Sequence, residues 1–148
     1  MTIVSHRFET TASPEQLWRC LSDLTLVKDY NPTVLSAQLR GNGHVGVGTI
    51  RACELKPKGK VLERVIVWEE GKAIGLEVVE SDWPVTKMSW VTRITPQGGG
   101  SVLSQDLEYG MKFGLLGWLL NALVMKRNLT KKVGGALFGL IQIAERAK

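Results

Sequence analysis

The residues of this sequence that could act on a polar ligand or its protons are Arg51, Glu63, Glu80, Gln105, Asp106 and Lys126. Carboxylates can serve as general acids or bases, and an arginine beside one can orient a carbonyl or hydroxyl while the carboxylate takes or gives a proton. Arg51 and Glu63 face each other if Thr49 to Leu55 and Lys60 to Glu69 pair as a hairpin, whereas a slip of one residue puts Arg64 in place of Glu63. On an inner sheet face the pair could hold a ligand, with Arg51, Glu63 and Asp106 as acid–base residues. On the outer face, the placement favoured by a small margin, it is a solvated ion pair contributing about 0–1 kcal/mol.

Other chemistries find no constellation. His6 and His44 stand apart from any acidic or thiol partner at ligand spacing, so no metal site is expected. Cys20 and Cys53 form no CxxC, lack an adjacent histidine and read as reduced thiols of a cytoplasmic protein. No G-x-S-x-G occurs. The glycine-rich run Gly41-Asn42-Gly43-His44-Val45-Gly46-Val47-Gly48-Thr49 lacks the GK[ST] ending of a phosphate-binding loop and leads into a strand. It reads as a flexible turn or a lid, and no cofactor is expected.

The charge tells the same story. The chain has 148 residues and a formal charge of +5, from 19 basic and 14 acidic side chains. The excess gathers at Lys126, Arg127, Lys131, Lys132, Arg146 and Lys148 without interleaved aromatics, which speaks against nucleic acid. The N-terminus shows no export signal, and the most apolar window, Gly114 to Met125, is shorter than the roughly 20 residues that span a bilayer.

The elements that must position these side chains follow from periodicity. Thr2 to Glu9 alternates as a strand. Ser13-Pro14-Glu15-Gln16 carries a serine N-cap, a proline at the first helical position and a glutamine at the third, so a helix starts there. A second short helix runs from about Leu24 to Tyr30 and stops before Asn31-Pro32. Strands are predicted at Val34 to Arg40, Thr49 to Leu55, Lys60 to Glu69, Ala73 to Glu80, Thr86 to Thr95 and Ser101 to Tyr109. Their short connections make an antiparallel sheet in which sequence neighbours are spatial neighbours.

Leu115 to Ala147 is proline-free and apolar at three- and four-residue spacing, the pattern of one long helix. At 100° per residue, Leu115, Leu119, Ala122, Leu129, Val133, Ala136, Leu137, Leu140 and Ala144 share its inner side, and Asn121 falls outside. Lys126 lies within the apolar arc, where it needs a partner, a wet cavity or a route to solvent. Gly134 and Gly135 predict a bend or a close backbone approach. Packed on a curved sheet, such a helix closes one face imperfectly and leaves a cavity. Its expected lining is Tyr30, Arg51, Glu63, Leu76, Met88, Trp90, Gln105, Tyr109, Leu119, Lys126, Val133 and Leu137.

Several strings, in this order, carry a resemblance to a known superfamily. They are Ser13-Pro14-Glu15-Gln16-Leu17-Trp18, Asp29-Tyr30-Asn31-Pro32, Gly46-Val47-Gly48-Thr49-Ile50-Arg51, Glu63-Arg64-Val65, Trp83-Pro84-Val85-Thr86 and Tyr109-Gly110-Met111-Lys112-Phe113-Gly114. With the order of elements, they resemble the START-like helix-grip (SRPBCC) superfamily and, within it, the polyketide cyclase/dehydrase and lipid transport family. Gly41-Asn42-Gly43 and Gly48-Thr49 also echo the glycine-rich loop of its plant pathogenesis-related allergens.

The resemblance implies an α+β helix-grip fold in one domain over residues 1–148: a seven-stranded antiparallel curved sheet, two short helices and a long C-terminal helix over a cavity. It implies a small hydrophobic ligand such as a lipid, fatty acid or polyketide, bound and carried, and does not by itself imply a reaction. The alternative is a cyclase or dehydratase using the acid–base residues named above. A third reading is contact with a membrane or protein surface through Phe113, Trp118 and their apolar neighbours, followed by Lys126 and Arg127. The simpler expectation buries that apolar side against the sheet.

Overall fold

The computed structural model describes residues 1–41, 43–83, 85–112 and 114–146, so Asn42, Pro84, Phe113 and the helix end at Ala147 lie outside the described residues. Strand β1 (Thr2–Thr10) is followed by α1 (Pro14–Ser22), a 3₁₀ turn (Leu24–Leu26) and α2 (Val27–Tyr30). Six strands come next: β2 (Val34–Arg40), β3 (Ile50–Leu55), β4 (Lys60–Glu69), β5 (Ala73–Ser81), β6 (Val85–Gln97) and β7 (Gly100–Met111). The chain ends in α3 (Gly114–Leu120), a π-helical turn (Asn121–Met125) and α4 (Lys126–Arg146), which run on as one helical rod.

Local chemistry sets the short helices. The Ser13 hydroxyl accepts from the Gln16 amide at 3.1 Å and the Gln16 side chain accepts from the Ser13 amide at 2.7 Å, so the predicted capping box is complete. Helix α2 stops where Asn31, extended at φ −106° and ψ 107°, precedes Pro32.

The sheet is antiparallel throughout, in the order β1-β7-β6-β5-β4-β3-β2. Strands β2 to β7 form the predicted meander. Strand β1 is the exception, because α1 and α2 carry the chain across the sheet and leave β1 to pair with β7. Register shifts between Val34 and Ser36, Leu62 and Glu63, Val65 and Val67, and Val85 and Lys87 mark bulges. Each bends its strand and adds twist, which helps the sheet curve around the rod.

Helix α4 lies in that curve. Leu137, Leu140, Ile141 and Ala144 pack with Leu17 and Leu21 of α1 and with Ile74, Ile94 and Leu103 of the sheet. Among the glycines of α4 the sharpest approach is at Gly139, where an added Cβ would stand 2.5 Å from the Tyr30 carbonyl oxygen. Of the two glycines expected to mark a close approach, Gly134 faces His6, and Gly135 has open space where a Cβ would go. The His6 Nε2 donates to the Thr130 carbonyl at 2.9 Å, since a carbonyl can only accept.

The first part of the rod departs from the expected phase. Leu115, Leu119 and Ala122, predicted to face the sheet, are exposed, whereas Gly117 is buried and Asn121 is partly buried. The π-turn explains this. A wider turn absorbs one extra residue, so everything before it is rotated by about 100° relative to an uninterrupted α-helix.

Candidate functional site

Between the concave sheet face, α2 and α4 lies a cavity of about 130 Å³. That approaches an engineered cavity of about 150 Å³ that takes benzene, and it is smaller than the roughly 300–1,000 Å³ pockets that hold drug-sized ligands. Most of the wall is apolar: Leu76 and Val78 of β5, Met88 and Trp90 of β6, and Val133 and Leu137 of α4 all line it. Leu76 and Met88 are buried because the inner alternates of their strands are the more apolar ones, as predicted.

One buried ion pair is set in this wall. Arg51 and Glu63 are direct cross-strand partners on β3 and β4, both on the inner face, so the outer placement favoured from sequence is corrected. Strand β4 buries Val61, Glu63 and Val65 and exposes Arg64, and this hydrophobic frame holds the register against a one-residue slip. Arg51 Nε donates to Glu63 Oε1 at 2.6 Å, and Arg51 Nη1 donates to the Leu24 carbonyl at 3.1 Å. Cys53, two residues along the same face, donates its thiol to the same Glu63 oxygen at 3.6 Å.

The titration tendencies follow from this enclosure. Burial would lower the Arg51 pKa, but the Glu63 carboxylate outweighs it and holds the guanidinium above its ordinary value. Burial pushes the Tyr30 hydroxyl up to about 12, with Arg51 pulling against it. Burial, reinforced by Glu63, pushes the Cys53 thiol up to about 12. At neutral pH Tyr30 and Cys53 are therefore uncharged donors, and the charges of Arg51 and Glu63 cancel. Elsewhere in the wall, the buried Thr92 hydroxyl donates to Gln105 Oε1 at 2.8 Å.

The structure thus gathers Tyr30, Arg51, Glu63, Leu76, Met88, Trp90, Gln105, Val133 and Leu137 around one cavity. The other predicted site residues lie elsewhere. Tyr109 is fully buried beneath the π-turn, where its hydroxyl donates to Asn121 Oδ1, and Asn121 Nδ2 donates in turn to Thr2 Oγ1 at 3.2 Å. That chain fastens the rod to the sheet. Leu119 faces outward for the reason of phase given above. Lys126 is exposed and has taken the route to solvent.

Asp106 and Glu80 are also exposed. Asp106 accepts a hydrogen bond from the Ser5 hydroxyl at 2.7 Å on the outer face, which removes it from the acid–base set. Sequence reasoning missed Cys53, Thr92 and Lys132 as lining residues. Thr92 carried a signal, lying on the same strand alternate as Met88 and Trp90, whereas Cys53 shares the alternate of Arg51 and its side of the sheet depended on the same open placement. Lys132 and Lys126 are six residues apart, about 120° around the helix, and spacing alone does not say which shoulder borders the cavity. None of the described residues of the 41–49 loop lines the cavity.

The family described as Polyketide cyclase / dehydrase and lipid transport matches residues 1–145. The chain belongs to this family. Among solved structures, TTHA0849 from Thermus thermophilus is similar at a TM-score of 0.82 and 22% identity, with 99% of each chain covered. A START superfamily protein from Mycobacterium smegmatis gives 0.77 at 19% identity, again with 99% of each chain covered. Norcoclaurine synthase from Thalictrum flavum, in complex with dopamine and hydroxybenzaldehyde, gives 0.75 at 21% identity, covering 99% of this chain and 88% of that one. These likenesses establish the helix-grip fold. Comparison with curated proteins gives no match.

Proposed function

We propose that this member of the polyketide cyclase/dehydrase and lipid transport family binds a compact amphipathic molecule. Its apolar part, a single ring or a short chain, fills the cavity, and its head is uncharged and hydrogen-bonding. The observation that carries this reading is the buried Arg51–Glu63 pair in the wall of a small apolar cavity. An ionised head placed there meets one like charge beside each opposite one and gains little for its lost hydration. A hydroxyl or phenol can donate to the carboxylate and accept from the guanidinium without carrying charge into the interior. Norcoclaurine synthase, with single-ring phenolic compounds in its complex, supports a guest of this size.

The test uses two ring-sized probes, 4-methylphenol and 4-methylbenzoate, in titration calorimetry at pH 7. The phenol binds more tightly to the natural protein. Glu63→Gln unmasks the Arg51 charge and reverses the order in favour of the carboxylate. Equal binding of the two probes by the natural protein, or no binding of either, would refute the reading.

Acid–base turnover in the same cavity is the second reading, and the observation favouring it is that Glu63 is the carboxylate of the cavity wall. It requires that Glu63→Gln abolish conversion of a bound substrate while the protein remains folded. Conversion that survives this change ends it.

A further inference from the structure

The apolar side of the rod before α4 is uncovered. Leu115 is 83% exposed, Trp118 64% and Leu123 68%, and Leu116, Leu119 and Val124 are also exposed. Scattered apolar residues on a surface are ordinary, but this many on consecutive turns of one segment form a contact patch. The segment is held in that orientation. An added Cβ at Gly117 would stand 1.8 Å from the Lys112 carbonyl oxygen, and the inward Asn121 is bonded to both Tyr109 and Thr2. The leucines cannot turn inward without breaking these contacts.

The neighbouring charge is of one sign. No acidic residue occurs between Glu108 and Glu145, a stretch that carries Lys112, Lys126, Arg127, Lys131 and Lys132. All five of these are exposed. The rod therefore presents an oily leading end and, on the turns behind it, a basic shoulder of Lys126, Arg127 and Lys131, while Lys132 borders the cavity.

We infer that this end of the rod docks on an anionic lipid surface, with the leucines and Trp118 entering the interface and the basic shoulder lying against the headgroups. That division of labour suits an interfacial helix. No helix among the described residues is long and apolar enough to cross a membrane, so the rod lies on the surface rather than spanning it. A second copy of the chain is a poorer occupant. Parallel two-fold pairing through this patch would set basic shoulder against basic shoulder, with no carboxylate in the segment to compensate, and antiparallel pairing would set each shoulder beside the partner's Lys112. The inference does not depend on the ligand reading, because no residue of Leu115 to Val124 lines the cavity, and neither do Lys126, Arg127 and Lys131.

Co-sedimentation with phosphatidylcholine vesicles, with and without phosphatidylglycerol, tests it. The protein pellets with the anionic vesicles and is released by high salt. Lys126→Gln/Lys131→Gln weakens binding by about 30-fold, and Leu115→Ser/Leu123→Ser by about ten-fold or more. All four positions are exposed, so melting temperature reports an unchanged fold alongside. Any of three results overturns the inference: no pelleting with anionic vesicles, equal pelleting with neutral ones, or pelleting of both variants equal to that of the natural protein. A dimer in sedimentation velocity that Leu115→Ser/Leu123→Ser disperses would overturn it in favour of self-association.

Discussion

Removing one member of the Arg51–Glu63 pair leaves the other charge buried and uncompensated, which costs far more than the pair contributes when intact. Glu63→Leu should lower the free energy of unfolding by about 3–5 kcal/mol. Arg51→Met/Glu63→Leu removes both charges together and should recover most of that loss. The recovery is not complete, because the Leu24 carbonyl also loses its donor. Urea unfolding of the two variants decides the matter: a double variant as unstable as the single would mean that the charges are not coupled. The same pair shows where sequence reading stops at this scale. Residue types and strand positions were legible, but the inner and outer registers differ by one residue, and only the frame of Val61 and Val65 around Glu63 settles them.

At the scale of elements, α4 contains two glycines whose surroundings predict opposite effects. Gly135 faces open space, so Gly135→Ala gains helix propensity and should stabilise by up to about 1 kcal/mol. A Cβ at Gly139 would press on the backbone of Tyr30, so Gly139→Ala should destabilise by about 1–3 kcal/mol despite the same propensity gain. Thermal unfolding of the two variants checks the signs, and shifts in the same direction would contradict the packing of α2 on α4.

The strands were legible because alternation and turn residues are local, and Val34–Arg40 and Lys60–Glu69 match their predicted ends. The rod was legible as a helix, but its facing was not. Extrapolating 100° per residue through Asn121–Met125 carried Leu119 into the predicted lining and put Asn121 outside it, because a π-turn has no strong signature in residue type. The placement of Lys126 and Tyr109 failed differently. Periodicity says which side of an element is buried but not whether that side meets a cavity or solid core.

For the whole molecule, the buried proton donors set an alkaline limit. Unfolded, the Cys53 thiol and the Tyr30 phenol titrate near 9.0 and 10.0; in the fold each is pushed up to about 12 by burial. Between those values the native state holds protons that the unfolded chain has released. Their stabilising effect is therefore complete below about pH 9 and is lost as pH rises toward about 12. The urea midpoint should fall between about pH 8 and about pH 10.5, and Cys53→Ala/Tyr30→Phe should flatten the decline. A midpoint independent of pH over that range would mean that the two groups are open to water in the native state.

The wide turn at Asn121–Met125 means that the character of this protein's outer surface depends on chain length as well as on composition. A relative lacking one residue there, with every other side chain unchanged, would continue as ordinary helix and swing the preceding leucines toward the sheet. Among homologues, a single-codon deletion in this short window would then separate chains that keep their grease hidden from chains that display it.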